Sequence, residues 1–173
     1  MAHHDDQEFA EYFAAKRDSV RRTAYLLCGD WHRADDLAQT AFVSLHRRWR
    51  KIRDRRAVDA YVRKTLVRAA IDESRRPWRR ERHTDEVPEP VAAQAGRRDA
   101  LAETVSTRAD LRAALAHVPS KQRAVLVLRY FEGLDVSGVA RTLGCSEGNV
   151  KSQTSRGLAK LRAVLGEEVD TRG

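Results

Sequence analysis

The sequence predicts an all-α chain made of two small helical domains joined by a flexible linker, the second of them a helix-turn-helix domain. Three observations lead there. Apolar residues recur at three- and four-residue steps through most of the chain, which is the period of a helix with one buried face. Proline is scarce (4), glycine modest (9), and charged residues make up 34%, a composition that suits helices with wide solvated faces. The charge also comes in blocks. Residues 1–80 carry 19 Lys and Arg against 12 Asp and Glu, residues 81–106 carry 3 against 6, and residues 107–173 carry 11 against 7. Two basic modules separated by an acidic stretch read as domain, linker and domain over 1–80, 81–106 and 107–173.

The first helix is expected over about Gln7–Leu27, with Phe9, Tyr12, Phe13, Val20, Ala24 and Leu27 facing inward. Gly29 is placed to stop it and Asp30 to cap the next. That second helix, about Trp31–Arg50, has the cleanest period in the chain. Ala34, Leu37, Ala38, Ala41, Phe42, Leu45 and Trp49 form its stripe, and Asp35, Asp36, Gln39 and Thr40 lie off it. "RKIRDRR" (Arg50–Arg56) breaks the pattern as a basic loop, and a third helix follows over about Val58–Arg75, before Pro77. "HTDEVPEPVAAQAG" (His83–Gly96) has two prolines, acids and small residues without an apolar period, and reads as an extended linker.

The second module opens with an amphipathic helix over Ala109–Val118, stopped by Pro119. Ser120 is expected to cap the helix Ser120–Gly133, with Ala124, Val125, Leu128 and Phe131 inward. A short helix at Asp135–Leu143, the turn Gly144–Ser146 and a longer helix from Glu147 then have the shape of a helix-turn-helix. Gly144 suits a positive φ, Ser146 can accept from the free amides of the second helix, and Glu147 suits that helix's positive end. At about 100° per residue, Val150, Thr154, Gly157, Leu161 and Val164 share one side of this helix. Lys151, Ser152, Ser155 and Arg156 share another, within about 140°, with two cations, two hydroxyls and no carboxylate. Such a face fits a DNA major groove, where Arg and Lys reach guanine edges or phosphates and Ser is versatile.

Composition narrows the class of function. The net charge is +8 and the pI about 10.0, so the expected partner is a polyanion. Arginine outnumbers lysine; it is the better fork for phosphate and guanine, and a GC-rich genome enriches it as well. Cys28 and Cys145 lie far apart and show no metal-ligand spacing, which implies a reducing compartment. The amino terminus lacks an apolar stretch and no window approaches about 18 apolar residues, so a soluble cytosolic protein without membrane insertion is expected. His32, His46, His83 and His117 are scattered, and no nucleophile–base arrangement or phosphate-cradling loop appears. Neither an enzyme nor a cofactor is expected.

"ALAHVPSKQRAVLVLRYFEGL…VARTLGCSEGNVKSQTSRGLAKLR" (Ala114–Arg162) resembles the carboxy-terminal promoter-binding domain of bacterial sigma factors. "LLCGDWHRADDLAQTAFVSLHRRW" (Leu26–Trp49) and "AYVRKTLVRAAIDESRR" (Ala60–Arg76) resemble the amino-terminal sigma domain. Together they are similar to the small extracytoplasmic-function class (group IV of the sigma-70 family, actinobacterial type). The resemblance implies a dissociable subunit that brings RNA polymerase core to promoters and helps open the duplex. It implies that Asp35, Asp36, Leu37, Gln39 and Phe42 bind the clamp of the largest polymerase subunit, and that the second-largest subunit offers its flap. It implies that Arg53, Arg55, Arg56, Tyr61, Lys64 and Arg68 hold the −10 element, and that Lys151, Ser152, Ser155 and Arg156 read the −35 element. An anti-sigma factor is a further implied partner, and the linker would thread along the RNA exit channel. Gly138, Asn149, Gln153, Thr154 and Gly157 depart from the family pattern, which bears on promoter preference and, at Gly157, on the stiffness of the recognition helix. A conventional helix-turn-helix repressor is the rival reading. It would need a dimer interface and could not confer transcription on purified core polymerase.

Overall fold

The computed structural model describes residues 2–76 and 111–171, with side chains through Gly166. Every regular element among the described residues is helical. Helix α1 spans Ala2–Cys28, α2 Trp31–Arg48 and α3 Val58–Ser74, with two 3₁₀ turns, Trp49–Lys51 and Arg55–Ala57, between the last two. The linker expected over 81–106 lies outside the described residues, and residues 111–116 form α4. Helix α5 covers Ser120–Leu126 and runs into a π turn at Val127–Phe131; α6 covers Val136–Leu143 and α7 Glu147–Thr171.

Local chemistry sets most boundaries. Gly29 takes φ +77° and ends α1, and the Asp30 carboxylate accepts from the amides of His32 and Arg33 to start α2. Gly144 takes φ +67° at the end of α6, and Ser146 Oγ accepts from the Asn149 amide at 3.1 Å. Asp135 caps α6 through the Gly138 amide at 2.7 Å. Helix α1 begins five residues earlier than its apolar period, because its first turns are held by charges described below. Helix α3 stops at Ser74, short of Pro77, which lies outside the described residues, as does the start of the helix expected from Ala109.

Two expectations fail in the second module. Ser120 lies inside α5; the capping position is Pro119, and no side chain caps that end. Phe131 is not inward but 48% exposed. The cause is the π turn, in which the Glu132 amide reaches back five residues to the Val127 carbonyl at 3.0 Å. An ideal 3.6-residue period carried from Ala124 therefore loses register beyond Leu128, and Phe131 swings out.

The buried residues of α1, α2 and α3 form one continuous apolar cluster with Ala124, Val125, Val127, Leu128, Val139, Ala140 and Val150 of the second module. A satellite cluster of Leu115, Val118 and Leu126 packs against Leu158 and Leu161 of α7. The two modules therefore share a core. Arg123 crosses between them: its guanidinium donates to the Leu27 carbonyl at 2.7 Å, in the last turn of α1, and to the Ala116 and Val118 carbonyls at 3.0 and 2.9 Å. Helix ends leave carbonyls without intrahelical partners, and this one cation satisfies such groups at the ends of both α1 and α4. Burial pulls its pKa below the usual guanidinium value.

Candidate nucleic-acid and polymerase interfaces

On α7, Val150 is fully buried and Gly157 faces the core, so the helix has a fixed orientation. Lys151, Ser152, Ser155 and Arg156 all emerge exposed on its outer side, and none has a side-chain partner among the described residues. These four positions stand where the helical period places them. Gly157 also gains a reason. A Cβ there would lie 3.1 and 3.2 Å from Leu126 Cδ1 and Cγ and 3.4 Å from Gln122 Cβ. Its bare backbone lets α7 approach α5 closely, so this glycine is a packing residue rather than a point of slack. Thr154 bonds back to the Val150 carbonyl at 2.7 Å and leaves the outer face to its neighbours.

The six positions expected at the −10 element are not equivalent. Arg55 is occupied. Its guanidinium donates to the Trp49 and Ile52 carbonyls at 3.1 and 3.2 Å, pairs with Glu8 at 2.8 Å, and stacks 3.9 Å from the Trp49 ring centre. The irregular backbone between α2 and α3 leaves carbonyls without helical partners, and Arg55 satisfies two of them. Tyr61 is half-buried and ties α3 to α2 through a 2.7 Å hydrogen bond with Ser44 Oγ. Arg56 pairs locally with Asp54 at 3.2 Å. Arg53 and Arg68 are exposed and Lys64 half-buried, each without a charge partner among the described residues; Arg68 lies beside Gly144 of the helix-turn-helix, whose Cβ would sit 4.0 Å from its Nη2.

Helix α1 frames this loop. Asp5 faces Arg50 at 3.7 Å, Glu8 holds Arg55 as well as His4, and Phe9 and Tyr12 pack on Trp49 with ring centres 5.4 and 5.8 Å away. Tyr12 donates to Asp59 at 2.7 Å; burial and that carboxylate push its phenol well above the ordinary tyrosine range, so the donor proton stays in place. The apolar period of α1 pointed to Phe9 and Tyr12, whereas the charges that extend the helix forward carry no periodic signal.

Of the polymerase-binding candidates, Leu37 and Phe42 are each 5% exposed and belong to the core, because both lie on the buried stripe of α2. Asp35, Asp36 and Gln39 are exposed on α2. Asp35 and Gln39 line an apolar groove of about 880 Å³ between α1 and α2, floored by Phe42 and Phe13, whose rings meet edge-on at 4.9 Å. Asp35 is paired with Arg21 across the groove, and Val43, 45% exposed, adds apolar surface that the sequence stripe does not mark. Among the described residues no cluster of His, Cys, Asp and Glu could hold a metal ion, and no helix is long and apolar enough to cross a membrane.

Residues 13–80 match the Sigma-70 region 2 family and residues 108–161 the Sigma-70 region 4 family. The chain is 38% identical to the RNA polymerase sigma-E factor of Streptomyces avermitilis, over 99% of this chain and 90% of that one. It is 31% identical to the ECF RNA polymerase sigma factor SigM of Mycobacterium tuberculosis, over 94% and 79%. This chain belongs to the extracytoplasmic-function sigma factors. Its fold is similar to that of the sigma factor RpoE of Bartonella quintana, solved in complex with the anti-sigma factor NepR. The TM-score is 0.67 at 21% identity, over 92% of this chain and 98% of that one.

Proposed function

We infer that the protein is an alternative sigma factor that joins core RNA polymerase in the cytoplasm and directs initiation at promoters carrying its −35 and −10 elements. The observation that carries this reading is the pairing, in one chain, of an unpartnered Lys–Ser–Ser–Arg face on a helix-turn-helix with a second helical module bearing a basic loop. Lys151, Ser152, Ser155 and Arg156 read the −35 duplex, with cations on guanine edges or phosphates and hydroxyls on either base type. Arg53, Lys64 and Arg68 track the backbone of the −10 strand, where separation of the duplex requires cations along the phosphates and polar or aromatic groups about an extruded base. Arg55 and Tyr61 shape that site rather than grip DNA. Asp36, Asp35 and Gln39 face the clamp of the largest subunit, with the groove floored by Phe13 and Phe42 receiving apolar side chains. Tyr130 and Phe131, 56% and 48% exposed, offer an apolar surface to the flap of the second-largest subunit. An anti-sigma factor is a natural antagonist of such surfaces.

Run-off transcription of fragmented genomic DNA with purified core polymerase tests the reading. Discrete new transcripts that depend on this chain are expected, whereas a repressor adds none. Asp36→Arg should weaken co-purification with core; undiminished recovery would remove Asp36 from the interface.

A further inference from the structure

Among the described residues the Glu132 side chain bonds only to the other module. Its Oε1 accepts from Thr23 Oγ1 of α1 at 2.7 Å, and its Oε2 faces Arg63 Nε of α3 at 3.3 Å. Thr23 is buried, and the side chains of Arg63 and Glu132 are 21% and 25% exposed, so this carboxylate works where solvent screening is weak. The π turn at Val127–Phe131 delivers it: the extra residue per turn, followed by Gly133 at φ +70°, aims position 132 at α1 and α3 instead of along the helix. Single π turns interrupting a helix are frequent at functional sites, and among the described residues Glu132 is the polar link that this turn sets up across the modules.

The closed arrangement does not suit a protein that touches both promoter elements at once. A compact body the size of the described residues, 2–76 and 111–171, has a radius of gyration of about 14 Å and so measures less than about 40 Å across. Elements named −35 and −10 are centred about 25 base pairs apart, or about 85 Å along the duplex. The segment 77–110 can span up to about 110 Å when extended, which is enough to bridge that distance. With the modules sharing one core, the α7 face and the loop after α2 cannot both be in place.

We propose that Glu132 is an intramolecular latch that holds the free sigma factor closed, and that its release from Thr23 and Arg63 is a step in engaging polymerase and promoter. The closed state is a property of the chain alone; the need for its release rests on the sigma-factor reading above. Arg123 also crosses the modules but ties α4 to α5 within its own module, so Glu132, whose side-chain partners both lie in the other module, is the clean probe.

The test uses the full chain as wild type, Glu132→Ala, Thr23→Val, and the swap Arg63→Glu/Glu132→Arg, with helix content checked by circular dichroism. Loss of the two bonds is expected to shift the closed–open equilibrium about tenfold toward open. That shift reads out in one of two ways. If the wild type is predominantly closed, association with core polymerase quickens by up to about tenfold, since the apparent affinity scales with the competent fraction. If both states are populated, small-angle scattering shows an increased radius of gyration. Thr23→Val should move in the same direction by less, and the swap should return toward wild type. Unchanged scattering together with unchanged association in Glu132→Ala would overturn the latch. Expansion in Glu132→Ala with no binding of core by any form would uphold the latch and overturn the sigma-factor reading instead.

Discussion

The recognition helix and the loop after α2 are both rich in cations, yet they use them in different ways. On α7 the backbone satisfies itself through helical hydrogen bonds, so Lys151, Ser152, Ser155 and Arg156 have no structural duty and stand without side-chain partners among the described residues. Between Trp49 and Val58 the backbone runs through two 3₁₀ turns, and its side chains must complete the hydrogen bonding. Arg55 does so, with help from Glu8, and Asp54 does so by accepting from the Arg56 amide. Counting cations therefore measures the charge left available to a ligand on a regular helix and overstates it in an irregular loop.

Arg55→Ala should break the comparison most severely. It removes two carbonyl bonds, an ion pair and a stacked cation, and is expected to cost about 2 kcal/mol in denaturant unfolding. Promoter opening, followed by permanganate reactivity at the −10 region, should fall with it, while binding of core is kept. A stable Arg55→Ala variant that opens promoters normally would show that the loop holds its shape without this residue. Arg156→Ala is the counterpart on the regular helix. Stability should stay within about 0.5 kcal/mol of wild type, because the side chain touches nothing that packs. Use of promoters that depend on the −35 element should fall about tenfold or more, within the range of one lost base contact. If core affinity fell equally, the face would be misassigned.

Gly157→Ala probes what holds the recognition helix in place. Helix propensity favours alanine by about 1 kcal/mol, but the new methyl meets Leu126, itself 2% exposed within the satellite cluster. A net loss of about 1 kcal/mol is expected, seen as a melting temperature lower by about 2–4 °C. A stabilised variant would mean that Leu126 can yield and that the glycine is not needed for close approach. The smallest expected effect distinguishes the cysteines. Burial raises the Cys28 pKa, so less of it is thiolate at a given pH, and its Sγ is turned to the Asp30 carbonyl at 3.2 Å. Alkylation of the native protein should modify half-buried Cys145 first, with Cys28 reacting only as the protein opens.

What could be read along the chain followed from periodicity and punctuation. The α2 stripe from Ala34 to Trp49, the stops at Gly29 and Gly144, the Asp30 cap and the outer face of α7 are local patterns, each decided by residues within a turn or two of one another. Helical period alone made Leu37 a core residue, and the structure keeps it there. Phe131 misled for a physical reason: one π turn adds a residue that no hydrophobic pattern records.

By itself the sequence determined that the chain is helical, that its charge falls in two basic blocks about an acidic stretch, and that one helix presents Lys151, Ser152, Ser155 and Arg156 outward. Such features depend on dihedral preference and spacing, which neighbouring residues set. Only the tertiary structure decided which arginines are spoken for and what holds the modules together. Arg55 meets Glu8 across 47 residues, Arg123 meets Leu27 across 96, and Glu132 meets Thr23 across 109. A cation left exposed to solvent and one already bonded to a distant partner are the same letter in the sequence, and the difference arises only when the chain closes on itself.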